Sequence, residues 1–297
     1  MPPVTFFYGQ TSFLCIVLLY FTFLPEPSKD FLFSTMDLQL KNKVIIVTGG
    51  AKGIGEGIVQ VLASEGAIPI IVGRNAEDNQ KVVDDLEAKG YESFQVAAEL
   101  TRPEECENAV AQVMVQYGRI DGLVNNAGVN DGVGLETGDY HKFIASLHKN
   151  VVHYYLMAHY ALPALKVSKG SIVNISSKTA DTGQGGTSAY AASNGGRNAL
   201  TREWAVELLK YSIRVNAVIV AECWTPLYER WVETLPDPAE KLKSIVANIP
   251  LENRMTTAEE IANTTAFLLS ERSSHTTGQL VYVDGGYVHL DRALANS

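Results

Sequence analysis

From Lys43 onward the apolar residues of this chain keep two alternating rhythms. Short runs of consecutive β-branched residues, such as Val44-Ile-Ile-Val, are the pattern of strands buried on both faces. Longer stretches between them set apolar residues on one helical face, as at Ile58, Val59 and Leu62. The pattern predicts strands over residues 44–47, 68–72, 94–97, 122–126, 171–175, 213–218 and 280–283. It predicts a helix from the turn after the first strand to about residue 64, then helices over 75–89, 103–117, 139–165, 188–210 and 257–269. Pro103 suits a first helical turn, Gly90 a helix stop, and Thr256 or Thr257 a cap ahead of Glu259 and Glu260. Residues 226–248 read as a helical excursion interrupted by Pro236 and Pro238. This alternation implies an α/β fold, a single domain built on a doubly wound parallel sheet with right-handed crossovers.

Residues 1–35 are a different polymer. No charge occurs before Pro25, and residues 13–24 are almost wholly apolar until Pro25 and Pro27 interrupt them. Such a core is short for a spanning helix and has the length of a signal h-region, yet no basic segment precedes it and no small-x-small cleavage site follows. Three readings stay open: a segment ahead of a true start at Met36, a membrane anchor, or a signal sequence. The working expectation is a cytoplasmic enzyme whose catalytic domain spans 36–297. Across 297 residues the net charge is −9 without a basic block, which speaks against a nucleic-acid partner. Cys15, Cys106 and Cys223 lie far apart with no C-x-x-C, and the six histidines show no ligand spacing, so neither a disulfide scaffold nor a metal site is expected. His153 and His159 read as packing or surface residues of the long helix.

Chemistry concentrates between Ser176 and Arg197. A strand feeds a serine pair, then a glycine-rich loop, then an alanine-rich helix carrying Tyr190, so that a phenol can face Ser177 as an acid/base partner. Thr48-Gly-Gly-Ala-Lys-Gly-Ile-Gly, after the first buried strand, has the glycines that a pyrophosphate at a helix N-terminus needs. With Asn125-Asn-Ala-Gly, with Asn150 inside the long helix and with Asp284-Gly-Gly near the end, these motifs resemble the short-chain dehydrogenase/reductase family over roughly residues 40–287. Trp224-Thr-Pro-Leu-Tyr-Glu, Leu235-Pro-Asp-Pro and Gly286-Tyr-Val-His-Leu-Asp-Arg-Ala-Leu look most like its L-fucose dehydrogenase branch.

The resemblance implies a Rossmann-type fold, a nicotinamide dinucleotide, a small-molecule substrate and assembly as a homodimer or homotetramer. It makes Tyr190 the general acid/base and Ser177, 13 residues earlier, the donor to the reacting oxygen; Asn150 would hold a relay water. It assigns cofactor contacts to Gly49, Lys52, Gly53, Ile54, Gly55, Asn126, Ala127 and Gly128. Glu99 and Leu100 would lie at the adenine and Thr225 at the nicotinamide amide. The family places a lysine four residues after the tyrosine, where its charge favours the phenolate and its amine binds ribose hydroxyls. Here that residue is Asn194, which is expected to keep the ribose contact without the charge. Arg197, seven residues after Tyr190, and Lys178, after Ser177, are the candidate substitute cations; each also reads as an ordinary surface residue.

Arg74 ends the second strand region where NAD-preferring enzymes carry an acid. With Lys52 it points to NADP as the preferred cofactor, NAD remaining possible. Where the family has Pro-Gly, this chain has Glu222-Cys-Trp224 ahead of Thr225-Pro226. Glu222 and Trp224, with Gln184, make an acidic and aromatic wall suited to a sugar, and Asp131 is a further polar candidate. The expected reaction is oxidation of an aldose such as L-fucose at C1 to a lactone. The alternatives are a dinucleotide-binding pseudoenzyme, or a reductase of ketoacyl- or steroid-type carbonyls.

Overall fold

Strict alternation of apolar side chains above and below a sheet is what gives this protein two cores. In the computed structural model, which describes residues 36–291, Val44 and Ile46 bury on one face of the first strand and Ile45 and Val47 on the other. That strand, β1 (Val44–Thr48), is followed by β2 (Ile68–Gly73), β3 (Phe94–Ala97), β4 (Gly122–Asn125), β5 (Ser171–Ser177), β6 (Arg214–Val220) and β7 (Leu280–Val283). They form one parallel sheet in the order β3-β2-β1-β4-β5-β6-β7.

The helices are α1 (Gly53–Ser64), α2 (Ala76–Ala88), α3 (Pro103–Tyr117), α4 (Tyr140–Leu147), α5 (His153–Ser168), α6 (Ser188–Leu208), α7 (Pro226–Glu233), α8 (Pro238–Val246) and α9 (Ala258–Leu269). Val110 and Val113 of α3, Tyr154 and Met157 of α5, and Trp204 and Leu208 of α6 cover one face. Ile58 and Leu62 of α1, Val83 and Leu86 of α2, and Ile261 of α9 cover the other. Each fully buried Ile or Leu contributes roughly 1.5–3 kcal/mol, so both faces are strongly specified. Helices α1 and α9 approach closely because position 57 is glycine: a Cβ there would lie 2.8 Å from that of Ala258.

The predicted doubly wound α/β sheet is present. Helix boundaries mostly agree, and Thr257 is the residue that caps α9, in a reciprocal capping box with Glu260. One element differs. The continuous helix expected over 139–165 is broken into α4 and α5 by a π turn, His148–Val152, with Asn150 at its centre. The excursion at 226–248 resolves into α7 and α8, with Asp237 left-handed (φ 53°) between them and capping α8 through its carboxylate. The apolar N-terminal stretch 1–35 lies outside the described residues. Among the described residues no helix is long and apolar enough to cross a membrane.

The order in which successive strands are added reverses between β1 and β4. Beyond the carboxyl ends of those strands lies the crevice in which open α/β sheets bind ligands.

Candidate active site

The turn from β1 into α1 crosses that crevice. Gly49 and Gly53 have φ of 66° and 58°, which side chains rarely tolerate. A Cβ at Gly55 would lie 2.0 Å from the Gly49 carbonyl oxygen and 2.6 Å from Asn126 Nδ2, so the loop closes only around glycine. Lys52, the residue before α1, makes no side-chain cap bond, which leaves the first amides of the helix open to an anion. Asn126 fixes the opposite wall. Its amide donates to Thr48 Oγ1 (2.9 Å) and its Nδ2 to the Thr48 and Gly49 carbonyls (2.9 and 3.3 Å). Ala127 N also donates to Thr48 Oγ1, at 3.1 Å. Thr225, the N-cap of α7, packs 3.2 Å from a Cβ built on Gly53. Gly49, Lys52, Gly53, Ile54, Gly55, Asn126, Ala127 and Thr225 therefore meet around one cradle, with Gly128 next in chain, and a side chain at position 55 would fill it. This set fits a dinucleotide pyrophosphate.

Residues expected at the adenosine end behave differently from one another. Arg74, just past β2, is exposed and bonds no described residue. Lys52 instead forms an ion pair with Asp78 (2.5 Å), so its charge is already met. The Glu99 carboxylate turns back to accept from Thr101 N (3.1 Å) and Oγ1 (2.9 Å), and the Leu100 side chain belongs to the core.

At the reacting end Ser177 terminates β5, its Oγ accepting from Thr179 N at 3.3 Å. Tyr190 lies in the first turn of α6, half-buried, its hydroxyl making no hydrogen bond to a described residue. Strand and helix are stitched together on either side of Ser177: Ser176 Oγ donates to the Asn194 carbonyl, and Asn194 Nδ2 donates to Thr179 Oγ1, both at 3.3 Å.

Two expectations need correction. Asn194 is completely buried, and its amide is committed to protein: Nδ2 also donates to the Tyr190 carbonyl (2.9 Å), and Oδ1 accepts from Arg197 Nη1 (2.8 Å). No group of Asn194 is turned out to a ribose. Asn150 is equally buried. Its Oδ1 accepts from Val129 N (2.7 Å), its Nδ2 donates to the Ser146 carbonyl (3.0 Å), and its own carbonyl accepts from Arg197 Nε (2.7 Å). The relay position is thus joined directly to a cation. Arg197 is 3% exposed, which removes the reading of it as a surface arginine.

Lys178, 6% exposed, is no surface residue either, but its charge is met: the ammonium is ion-paired to Glu222 just past β6 and lies 3.8 Å from the Tyr287 ring centroid. Burial and the neighbouring Glu222 carboxylate push the Tyr228 phenol far above its usual range. Trp224, 42% exposed, tilts against Tyr228 at 6.2 Å between ring centroids. Glu222 and Trp224 are thus brought together with Lys178, Tyr228 and Tyr287, whereas Gln184 is exposed on the glycine-rich loop and joined to none of them. Asp131 accepts from Ser146 Oγ (2.7 Å) and pairs with Lys149 (3.4 Å), a structural commitment. Tyr228 escaped the sequence reading. Its signal was its place one helical turn after Thr225, on the face that looks back at β6. Among the described residues no cluster of His, Cys, Asp or Glu could hold a metal.

Residues 49–288 match the family described as enoyl-(acyl carrier protein) reductase. The chain is 32% identical to the L-fucose dehydrogenase of Bos taurus over 84% of its own length and 91% of that protein. It is 34% identical to the 3-oxoacyl-acyl-carrier-protein reductase FabG of Thermotoga maritima, over 84% of this chain and all of that one. Among solved structures, that of Cj0485 dehydrogenase superposes with a TM-score of 0.83 at 48% identity, covering 87% of this chain and 99% of the other. With the parallel sheet, the glycine cradle and the Ser177/Tyr190 arrangement, these similarities place the chain in the short-chain dehydrogenase/reductase family of NAD(P)-dependent oxidoreductases, acting on CH–OH groups.

Proposed function

We propose that the protein oxidises an aldose such as L-fucose at C1, giving the lactone, with NADP preferred over NAD. The observation that carries the substrate class is the wall beyond β5 and β6. There a carboxylate (Glu222), an ammonium (Lys178) and two phenols (Tyr228, Tyr287) stand beside an exposed indole (Trp224). Vicinal hydroxyls bond such groups at both their donor and acceptor sites, and a sugar's apolar face stacks on indole; an acyl chain or a steroid would cover the same polar groups without bonding them. Similarity to L-fucose dehydrogenase adds to this reading.

The bound oxidised nicotinamide would supply the hydride acceptor. With the C1 hydride going to it, the C1 hydroxyl proton would pass to the Tyr190 oxygen as the C1–O bond becomes the lactone carbonyl. Ser177 Oγ holds the same oxygen by a hydrogen bond. Asn150 and Asn194, being buried, act by fixing the π turn and α6 around Tyr190 rather than by touching the ligand. Gly49, Gly53, Ile54, Gly55, Asn126, Ala127, Gly128 and Thr225 hold the pyrophosphate and nicotinamide, with Glu99 and Leu100 bordering the adenine. Arg74, an unpaired exposed cation where no acid ends β2, supports NADP; Lys52 contributes less, because Asp78 holds it. The protein works as a homodimer or homotetramer in the cytoplasm.

Purified protein incubated with L-fucose and other aldoses, plus each cofactor, is expected to generate reduced nicotinamide, faster with NADP. If no aldose turned over while a 3-oxoacyl thioester or a steroid ketone was reduced, the sugar assignment would fall and the enzyme class would remain.

A further inference from the structure

We infer that Arg197 is the cation of this active site, a positioning residue that favours negative charge on the Tyr190 oxygen from beneath the cleft in place of the family's lysine. The inference rests on Tyr190 being the acid/base group, but not on the substrate being a sugar.

A guanidinium this deeply buried is costly unless its charge and donors are met. Among the described residues no carboxylate lies within salt-bridge distance of it, so nothing neutralises the charge. It is held instead by neutral acceptors. Nε donates to the Asn150 carbonyl (2.7 Å), and Nη1 donates to Asn194 Oδ1 (2.8 Å) and the Ile175 carbonyl (3.2 Å). Those acceptors sit on the three elements that carry the reaction: the π turn with Asn150, the end of β5 leading to Ser177, and α6 with Tyr190. The guanidinium carbon lies 4.3 Å from the Tyr154 ring centroid and 5.9 Å from that of Tyr190. The net positive charge therefore remains, adjacent to the phenol.

Three features make sense only with that charge in place. The π turn inserts an extra residue, and such turns free a backbone carbonyl; here the Asn150 carbonyl meets Nε. Asn194 is a neutral acceptor where a lysine would confront the guanidinium. Gly128 lies directly over the cation: a Cβ there would sit 2.8 Å from Arg197 Nη2 and 2.9 Å from Asn150 Oδ1. Nη2, buried and bonded to no described residue, thus lies close beneath an exposed glycine. Lys178 cannot share the role, since Glu222 takes its charge. The titratable neighbours are few. Tyr154 on α5, against the guanidinium, is kept neutral by burial, and His153, against the Tyr154 ring, is kept neutral by burial and by Arg197. The Lys178–Glu222 pair at the ends of β5 and β6 has no net charge.

The test is a tyrosinate absorbance titration of the full-length protein without cofactor, the Tyr190 signal being taken as wild type minus Tyr190→Phe. The same titration is made in the Arg197→Met, Arg197→Lys and Asn194→Asp backgrounds. Arg197→Met is expected to move the Tyr190 midpoint up by about 1–3 pH units, with Arg197→Lys restoring most of the difference. Asn194→Asp gives the guanidinium a carboxylate partner of the same size and so quenches its charge; it is expected to move the midpoint in the same direction. The alkaline shift should reappear in the pH profile of kcat/KM, with dinucleotide Kd changed by less than about threefold. A Tyr190 midpoint unmoved in Arg197→Met, or in Asn194→Asp if Arg197→Met does not fold, overturns the inference. Because the titration needs no turnover, an enzyme inactive on every aldose would count against the sugar reading alone.

Discussion

Substituting Asn194→Lys would install the family's lysine, and the structure says that it harms this protein. Asn194 is wholly buried, and its Oδ1 lies 2.8 Å from Arg197 Nη1. An ammonium entering the same space comes within about 4 Å of the guanidinium, where two like charges repel by roughly 4 kcal/mol at an effective dielectric constant of about 20. The substitution also removes the shorter of the two acceptors that Nη1 uses, leaving one of its N–H groups unmet beside Nη2, at about 1–3 kcal/mol. A combined loss of about 5 kcal/mol corresponds to a fall of roughly 10–20 °C in Tm for a domain of this size. Thermal unfolding followed by circular dichroism measures it, with kcat taken in parallel and expected to fall. The double variant Asn194→Lys/Arg197→Met removes the repulsion and should recover most of the lost Tm, a strongly non-additive cycle. A single Asn194→Lys protein that kept its Tm and gained activity would refute the reasoning. It would instead support a decayed, dinucleotide-binding protein repaired by restoring its lysine.

Other sites give simpler tests. Gly55→Ala sets a Cβ 2.0 Å from the Gly49 carbonyl oxygen, so dinucleotide affinity by fluorescence titration should fall at least ~100-fold even where the fold survives. His153 is held neutral by burial first and Arg197 second, its pKa brought down from 6.5 to about 3. The unfolded imidazole binds a proton below about pH 6.5 that the folded one refuses, so this contribution to stability is present above that pH and is lost as pH falls towards 3. Denaturant titrations should show wild type losing up to ~1.4 kcal/mol per pH unit from this residue in that window, and His153→Phe a flatter acid limb. Glu222→Gln leaves the buried Lys178 ammonium without its counter-charge; KM for the sugar should rise about tenfold or more while dinucleotide Kd holds, and an unchanged KM would remove Glu222 from the substrate wall.

Much of the fold was legible because its signals are local. A run of β-branched residues reports burial on both faces of a strand, and β1, β2 and β6 were found within a residue or two of their observed ends. Glycines at 49, 53 and 55 announce a close backbone approach, and the structure supplies the partner that each would strike. Ser177 at the end of β5 and Tyr190 in the first turn of α6 sit on the elements expected for them, and their pairing is what the family resemblance implies. The π turn was not, because one inserted residue leaves helical periodicity almost untouched. Its cause is tertiary: a carbonyl turned to a guanidinium 47 positions further along the chain.

The sequence by itself settled the sheet, the cradle and the absence of a lysine at position 194, since each is written in residue type and spacing. Tertiary structure alone decided what replaces that lysine's charge. Arg197 and Lys178 were both candidates in the sequence, as both are cations near the proposed acid/base pair. Folding separated them by their partners: Lys178 meets the Glu222 carboxylate from 44 residues away, whereas Arg197 is enclosed by carbonyls and rings. Whether a buried charge is cancelled or kept depends on which groups long-range packing brings within a few ångströms of it, and no local pattern encodes that.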